Sequence, residues 1–184
     1  MKSSGETPRI LLDTSFLLPT LGISVSGATQ EGIRILAEAE FEIYYSWFSI
    51  LESLWVASRT VDDKAFDEGF EPGLRSIMEG GRYRRVEEDS RIFGEAFRLY
   101  GLGHKDMIDN ILYATAARLG PLLLTVDDEL RKFVLEKRLG GAFISVKELA
   151  DLAQMIREHP SEAGTAGTPT TRTSQQGISH EKAA

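Results

Sequence analysis

Apolar residues along this chain follow two alternating patterns. Short apolar runs of strand length are separated by longer stretches with apolar residues three and four positions apart. Arg9-Ile10-Leu11-Leu12-Asp13 is the first run, a buried strand ending on a carboxylate. Phe41 to Tyr45, Tyr83 to Val86, Leu122 to Val126 and Ala142 to Val146 read as further strands. Helical spacing covers Gln30 to Ala39, with Ile33, Leu36 and Ala37 on one face. It recurs in Trp47 to Arg59, where Phe48, Leu51, Trp55 and Val56 form the apolar stripe. Ser90 to Tyr100, Met107 to Leu119, Glu129 to Lys137 and Lys147 to about Arg157 are the remaining clear helices. Lys64 to Met78 is a weaker helical region broken by Gly69, Pro72 and Gly73. Gly22 to Ala28 reads as a loop, and Gly120-Pro121 as a helix stop. Thr14 and Ser15 stand where caps of a short helix belong.

Strands alternating with helices predict an α/β fold, a three-layer α/β/α sandwich around a central parallel sheet. Ligands bind such sheets at the carboxyl ends of the strands, near a reversal of strand order. Beyond His159, Pro, Ser, Thr, Gly and Ala dominate and large apolar residues nearly vanish. This predicts one domain over residues 1–158 and a disordered tail over 159–184.

Composition narrows the chemistry. The absence of cysteine excludes a disulfide framework, thiolate zinc sites and a cysteine nucleophile, and suits a reducing cytoplasm. No apolar stretch is long enough to cross a bilayer, and no signal peptide is visible, so no membrane association is expected. The net charge of −7 argues against sequence-blind binding of nucleic acid over the whole surface.

Acidic residues stand out instead. Asp13 and Asp127 follow predicted strands and so point to the same edge of the sheet. Glu52 and Asp109 lie on helices among largely apolar neighbours. Clustered carboxylates need raised pKa values or a cation, and no Lys or Arg lies within these segments to neutralise all four. A hard divalent ion, Mg²⁺ or Mn²⁺, takes oxygen ligands of this kind. Each acid also has a local role open to it. Asp13, Asp127 and Asp128 can cap helices, Asp106 and Asp109 can favour a helix start, and Glu52 can be a surface residue. Arg82, Arg84, Arg85, Arg91 and Arg98 form the one basic concentration, suited equally to phosphate contact or to a solvated face. His104 reads as a surface or capping residue, and Trp47, Phe48 and Trp55 as core.

The string Ile10-Leu11-Leu12-Asp13-Thr14-Ser15-Phe16-Leu17 resembles the opening motif of PIN domains. Ser49-Ile50-Leu51-Glu52 is similar to the second motif, Asp109-Asn110-Ile111-Leu112-Tyr113-Ala114-Thr115-Ala116 to the third, and Leu123-Leu124-Thr125-Val126-Asp127 to the fourth. The motifs come in the family's order, and the resemblance spans about Arg9 to Arg157. It implies divalent-metal hydrolysis of RNA, with Asp13, Glu52, Asp109 and Asp127 holding one or two Mg²⁺ or Mn²⁺ ions. Thr14 or Ser15 would orient Asp13 or a water, and Asp106 and Asp128 would be outer ligands or caps. It further implies a homodimer whose active sites face a shared groove. Many small members are toxins of type II toxin–antitoxin systems, partnered by a small antitoxin; others process RNA.

Three rivals remain on the sequence. A receiver-like signalling domain shares the parallel sheet and acid pocket, with Lys147 as its lysine, but Asp127-Asp128 comes too late for its acidic pair. A catalytically inactive PIN scaffold is disfavoured by the presence of all four acids. A haloacid-dehalogenase-type phosphatase needs an Asp where this chain has Ser15.

Overall fold

The computed structural model describes residues 7–158, so the expected tail lies outside the described residues. Five strands, β1 (Arg9–Leu12), β2 (Glu42–Tyr45), β3 (Tyr83–Arg85), β4 (Leu122–Leu124) and β5 (Phe143–Ile144), form one sheet. Its order is β3-β2-β1-β4-β5. Every adjacent pair is parallel. The chain builds outward from β1 to β3, then returns to place β4 on the other side of β1. The reversal of strand order therefore falls between β1 and β4. This order differs from the 2-1-3-4-5 arrangement of receiver-type sheets and removes that rival.

The alternation of side chains along β1 explains the layering. Ile10 and Leu12 enter one core, with Phe16, Leu17, Ile35, Ile50, Ile77 and Leu149. Leu11 points the other way, into a second core with Leu99, Leu112, Leu130 and Val134. The first face is covered by α1 (Thr14–Leu17), α2 (Gly27–Glu38), α3 (Trp47–Thr60), α5 (Glu71–Glu79) and α9 (Val146–Glu158). The second is covered by α6 (Ser90–Leu102), α7 (Met107–Leu119) and α8 (Asp128–Glu136). The fold is thus the expected three-layer α/β/α sandwich. No helix among the described residues is long and apolar enough to cross a membrane.

Three local expectations need correction. The buried face of α3 is Ser49, Ile50, Ser53 and Ala57, not the stripe through Phe48, Leu51, Trp55 and Val56. Small side chains flank Ile50 on this face, Leu51 and Trp55 are exposed, and Phe48 and Val56 are half-buried. On α2 the buried apolar pair is Ile35 and Leu36, whereas Ala37 is exposed. The region after α3 is continuous helix rather than broken. A short α4 (Asp63–Ala65) runs through a π-helical turn over Phe66–Phe70 into α5. Pro72 falls just after the π-helical turn, at the second residue of α5. Gly73 is required there, since α5 packs directly on the Thr20 and Leu21 backbone.

Candidate active site

Leu12 pairs with Leu124 in register, so Asp13 and Thr125 leave the sheet side by side. The Asp13 amide still donates to the Leu124 carbonyl at 3.1 Å. The Thr125 hydroxyl then joins the two strand ends. It donates to Asp13 Oδ2 at 2.8 Å and accepts from the Asp127 amide at 2.9 Å. Asp13 is only 8% exposed. Burial pushes its carboxyl up to about 6, with the charges of Glu52 and Asp127 adding to the effect and the Thr125 hydrogen bond opposing it.

The other acids arrive from three helices. Glu52 projects from α3, and its Oε2 accepts from the Thr14 hydroxyl at 2.6 Å. Asp109 lies in the first turn of α7. It is pushed up to about 9, first by burial, then by the charges of Asp13, Asp106 and Asp127, and finally by a hydrogen bond to Asp127. Two carboxyl groups can share such a bond only if one carries a proton. Asp127 caps α8, with Oδ1 accepting from the Glu129 and Leu130 amides at 2.6 and 3.2 Å. Its Oδ2 takes no part in the cap.

Asp13 lies within electrostatic reach of Glu52 and Asp127, and Asp109 within reach of Asp13 and Asp127, at the carboxyl edge of β1 and β4, while Glu52 is coupled to the group through Asp13. Among the described residues, no ion pair involves any of the four. Protonation answers the repulsion in the metal-free protein, and a hard cation would answer it without the protons. The oxygen-rich donor set fits Mg²⁺ or Mn²⁺.

The supporting residues only partly match those expected. The Thr14 hydroxyl holds Glu52 while its backbone bonds the Asp13 carboxylate, and the Ser15 hydroxyl donates to Asp13 Oδ2 at 3.4 Å. Thr125, the Thr of the Thr-x-Asp string, supplies the shorter side-chain contact to Asp13. Asp106 is an exposed cap of α7, accepting from Ile108 and Asp109 amides, and its charge reaches Asp109. Asp128 is exposed in the first turn of α8, outside the cluster.

His104 is not a surface residue. It is 5% exposed, with its ring 5.2 Å from that of Phe133. One of its ring nitrogens and carboxylate oxygens of Asp109 and Asp127 all lie within 4.8 Å of one another. The sequence signal was its place just ahead of the third motif, between the Gly103 turn and the Asp106 cap.

The tryptophans are also misassigned by the sequence: Trp47 is 41% and Trp55 57% exposed. The Arg85 guanidinium lies 5.7 Å from the centre of the Trp47 ring. The basic concentration is largely paired within the chain. Arg84 bonds Glu42, Arg85 bonds Glu87, Arg98 bonds Glu95, and Arg82 donates to the Leu36 carbonyl. These contacts match a solvated face.

Comparison with known proteins gives a family and a fold. The family model for the PIN domain matches residues 10–134, more than half of the chain. No curated protein matches. Among solved structures, VapC20 from Mycobacterium tuberculosis, described as a sarcin–ricin-loop-cleaving toxin, is similar with a TM-score of 0.54 and 15% identity. The match covers 67% of this chain and 93% of that one. PAE2754 from Pyrobaculum aerophilum is similar with a TM-score of 0.52 and 18% identity, over 82% of this chain and 99% of that one. VapBC2 from Rickettsia felis, bound to a DNA fragment from its promoter, gives 0.51 and 13%, over 74% and 96%.

Proposed function

Because the chain belongs to the PIN-domain family, whose members are nucleases, we propose that it is a divalent-metal-dependent endoribonuclease. The observation that supports this reading is the coupling of Asp13 to Glu52 and Asp127, and of Asp109 to Asp13 and Asp127, near the β1–β4 reversal with no cationic partner among the described residues.

Asp13, Glu52, Asp109 and Asp127 would hold Mg²⁺ or Mn²⁺. Such an ion, when bound, lowers the pKa of water and stabilises charge on a phosphodiester. The chain's own contribution is positioning. Thr125 fixes the Asp13 carboxylate against the end of β4, and Thr14 fixes Glu52. Capping commits Oδ1 of Asp127 to α8, so the direction of the carboxylate is set by a helix rather than by a flexible stem. The buried wall behind Asp13 excludes water from that side of the site. A catalytically inactive scaffold has no need of four repelling acids, so retention of all four favours the enzyme.

The biological role we infer is that of a toxin in a type II toxin–antitoxin pair, with a small antitoxin as protein partner and RNA as substrate. On this reading the protein works in the cytoplasm, as a homodimer. Large apolar side chains lie exposed on α3 (Trp47, Leu51, Leu54, Trp55) and on α6 (Phe93, Phe97, Tyr100). The two helices meet where Phe48 packs edge-on against Phe93 at 5.6 Å. Exposed apolar surface of this kind supports protein association.

The test is cleavage of single-stranded RNA with Mg²⁺ or Mn²⁺, with and without chelator. Activity should require the ion, and Asp13→Asn should abolish it, since an amide keeps the shape but not the charge that holds a cation. Wild-type cleavage rates from Asp13→Asn protein in Mn²⁺ would disprove the assignment.

A further inference from the structure

The third-motif region contains a buried imidazole that the four-acid scheme does not use. The Asn110 side-chain nitrogen donates to the His104 carbonyl at 2.9 Å, which fixes the orientation of the amide. The amide oxygen must then face His104 Nδ1, at 3.0 Å. A carbonyl oxygen cannot donate, so in this contact Nδ1 carries the hydrogen. In the neutral form of the ring Nε2 is the unprotonated nitrogen, and no hydrogen-bond partner for that atom is found among the described residues. The ring cannot turn away, because Phe133 packs against it and Asn110 holds its other edge. The side chain is 95% buried, and one of its ring nitrogens lies within 4.8 Å of carboxylate oxygens of Asp109 and Asp127.

A metal-binding imidazole is typically prepared in this way, with one nitrogen fixed by a hydrogen bond so that the other is free to coordinate. We propose that His104 is a nitrogen ligand of the metal site, acting with Asp109 and Asp127, and that Asn110 positions it. The inference rests on the metal-site reading above and extends it. Its consequence is selectivity. Imidazole suits transition metals, whereas Mg²⁺ favours oxygen donors and binds imidazole poorly. The site should therefore prefer Mn²⁺ to Mg²⁺ by more than a purely carboxylate site does. Mg²⁺ would sit mainly on the oxygens.

The direct test uses the wild-type fold. Pulsed electron paramagnetic resonance of the full chain loaded with Mn²⁺ should show a directly bound imidazole nitrogen, and ¹⁵N-histidine should change its signature. The other two histidines, His159 and His180, are replaced by Gln so that only His104 can report. Calorimetric titration supplies the second arm. His104→Gln should weaken Mn²⁺ by about tenfold or more and Mg²⁺ by less than about threefold, on the scale seen when histidine at metal sites is disturbed. Asp109→Asn should weaken both ions. Mn²⁺ bound with no nitrogen in its first shell, while Asp109→Asn still abolishes binding, overturns the role of His104 and leaves the carboxylate site standing. A wild-type protein that binds neither ion overturns both. Should His104→Gln fail to fold, the spectrum of the wild-type chain decides alone.

Discussion

Asp13→Asn should make the metal-free protein more stable at neutral pH while removing its activity. The side chain is buried, and its carboxyl rises from 3.8 to about 6 on folding. A group whose pKa is raised by folding favours the folded state fully below its unfolded value. That contribution is lost as the pH climbs through the folded value. For Asp13 the window runs from 3.8 to about 6. A difference of about 2 units corresponds to roughly 3 kcal/mol, carried above the window as the cost of an ionised, uncompensated Asp13. Asparagine does not ionise and avoids this cost. Its amide oxygen can still accept from the Thr125 hydroxyl, so the main contact survives. The new NH₂ needs acceptors in a buried place, which trims the expected gain to roughly 2 kcal/mol. For a domain of this size that is roughly 4–8 °C in Tm. The assay is thermal unfolding of chelator-treated wild-type and variant proteins from about pH 4 to about pH 8, where the variant should be no more stable than wild type at the acid end and should overtake it through the window. Added Mg²⁺ or Mn²⁺ should then raise the Tm of the wild type and leave the variant nearly unmoved. A variant less stable than wild type at neutral pH, or a difference independent of pH, would refute the reasoning.

Two further outcomes follow from the packing and the surface. Gly73→Ala should cost roughly 1–3 kcal/mol, because the added methyl drives into the Thr20 carbonyl and comes within 2.9 Å of Leu21 Cα, both of them backbone. Gly94→Ala on α6, where nothing lies within 4 Å, should instead gain about 0.5–1 kcal/mol, and paired urea melts test the contrast. Light scattering should find a homodimer at micromolar concentration, and a monomer at high micromolar concentration would remove that part of the proposal.

The five strands and the order of layers were legible because strand signals depend on local apolar runs and their punctuation. Arg9 to Leu12, for instance, has no other way to bury three consecutive large side chains. The face of α3 was not legible in the same way. Counting large apolar residues put Phe48, Leu51 and Trp55 inside, but closeness of approach selected Ser49, Ser53 and Ala57. Packing distance belongs to the pair of elements in contact, so one helix's sequence does not reveal it. The same limit hid His104. Its burial depends on Phe133 and its orientation on Asn110, one from a distant helix and one from the adjacent turn.

For the acids, the sequence offered a choice between capping and site chemistry, and the two roles are geometrically compatible. Asp127 caps α8 through Oδ1 alone, and Asp106 caps α7 through Oδ1 alone. Capping uses one oxygen and fixes the direction of the other, so a cap at a strand end is already half of a ligand. It also supplies part of the energy that a metal-free cluster needs. Helix N-termini carry partial positive charge, and Asp109 and Asp127 both sit at one. The positive ends of α7 and α8 offset some of the repulsion at the β1–β4 reversal, and protonation takes up more of it at Asp13 and Asp109. A fold that starts its helices where its central strands stop can therefore concentrate carboxylates there without unfolding. The placement of the acids follows from the same topology that creates the crevice.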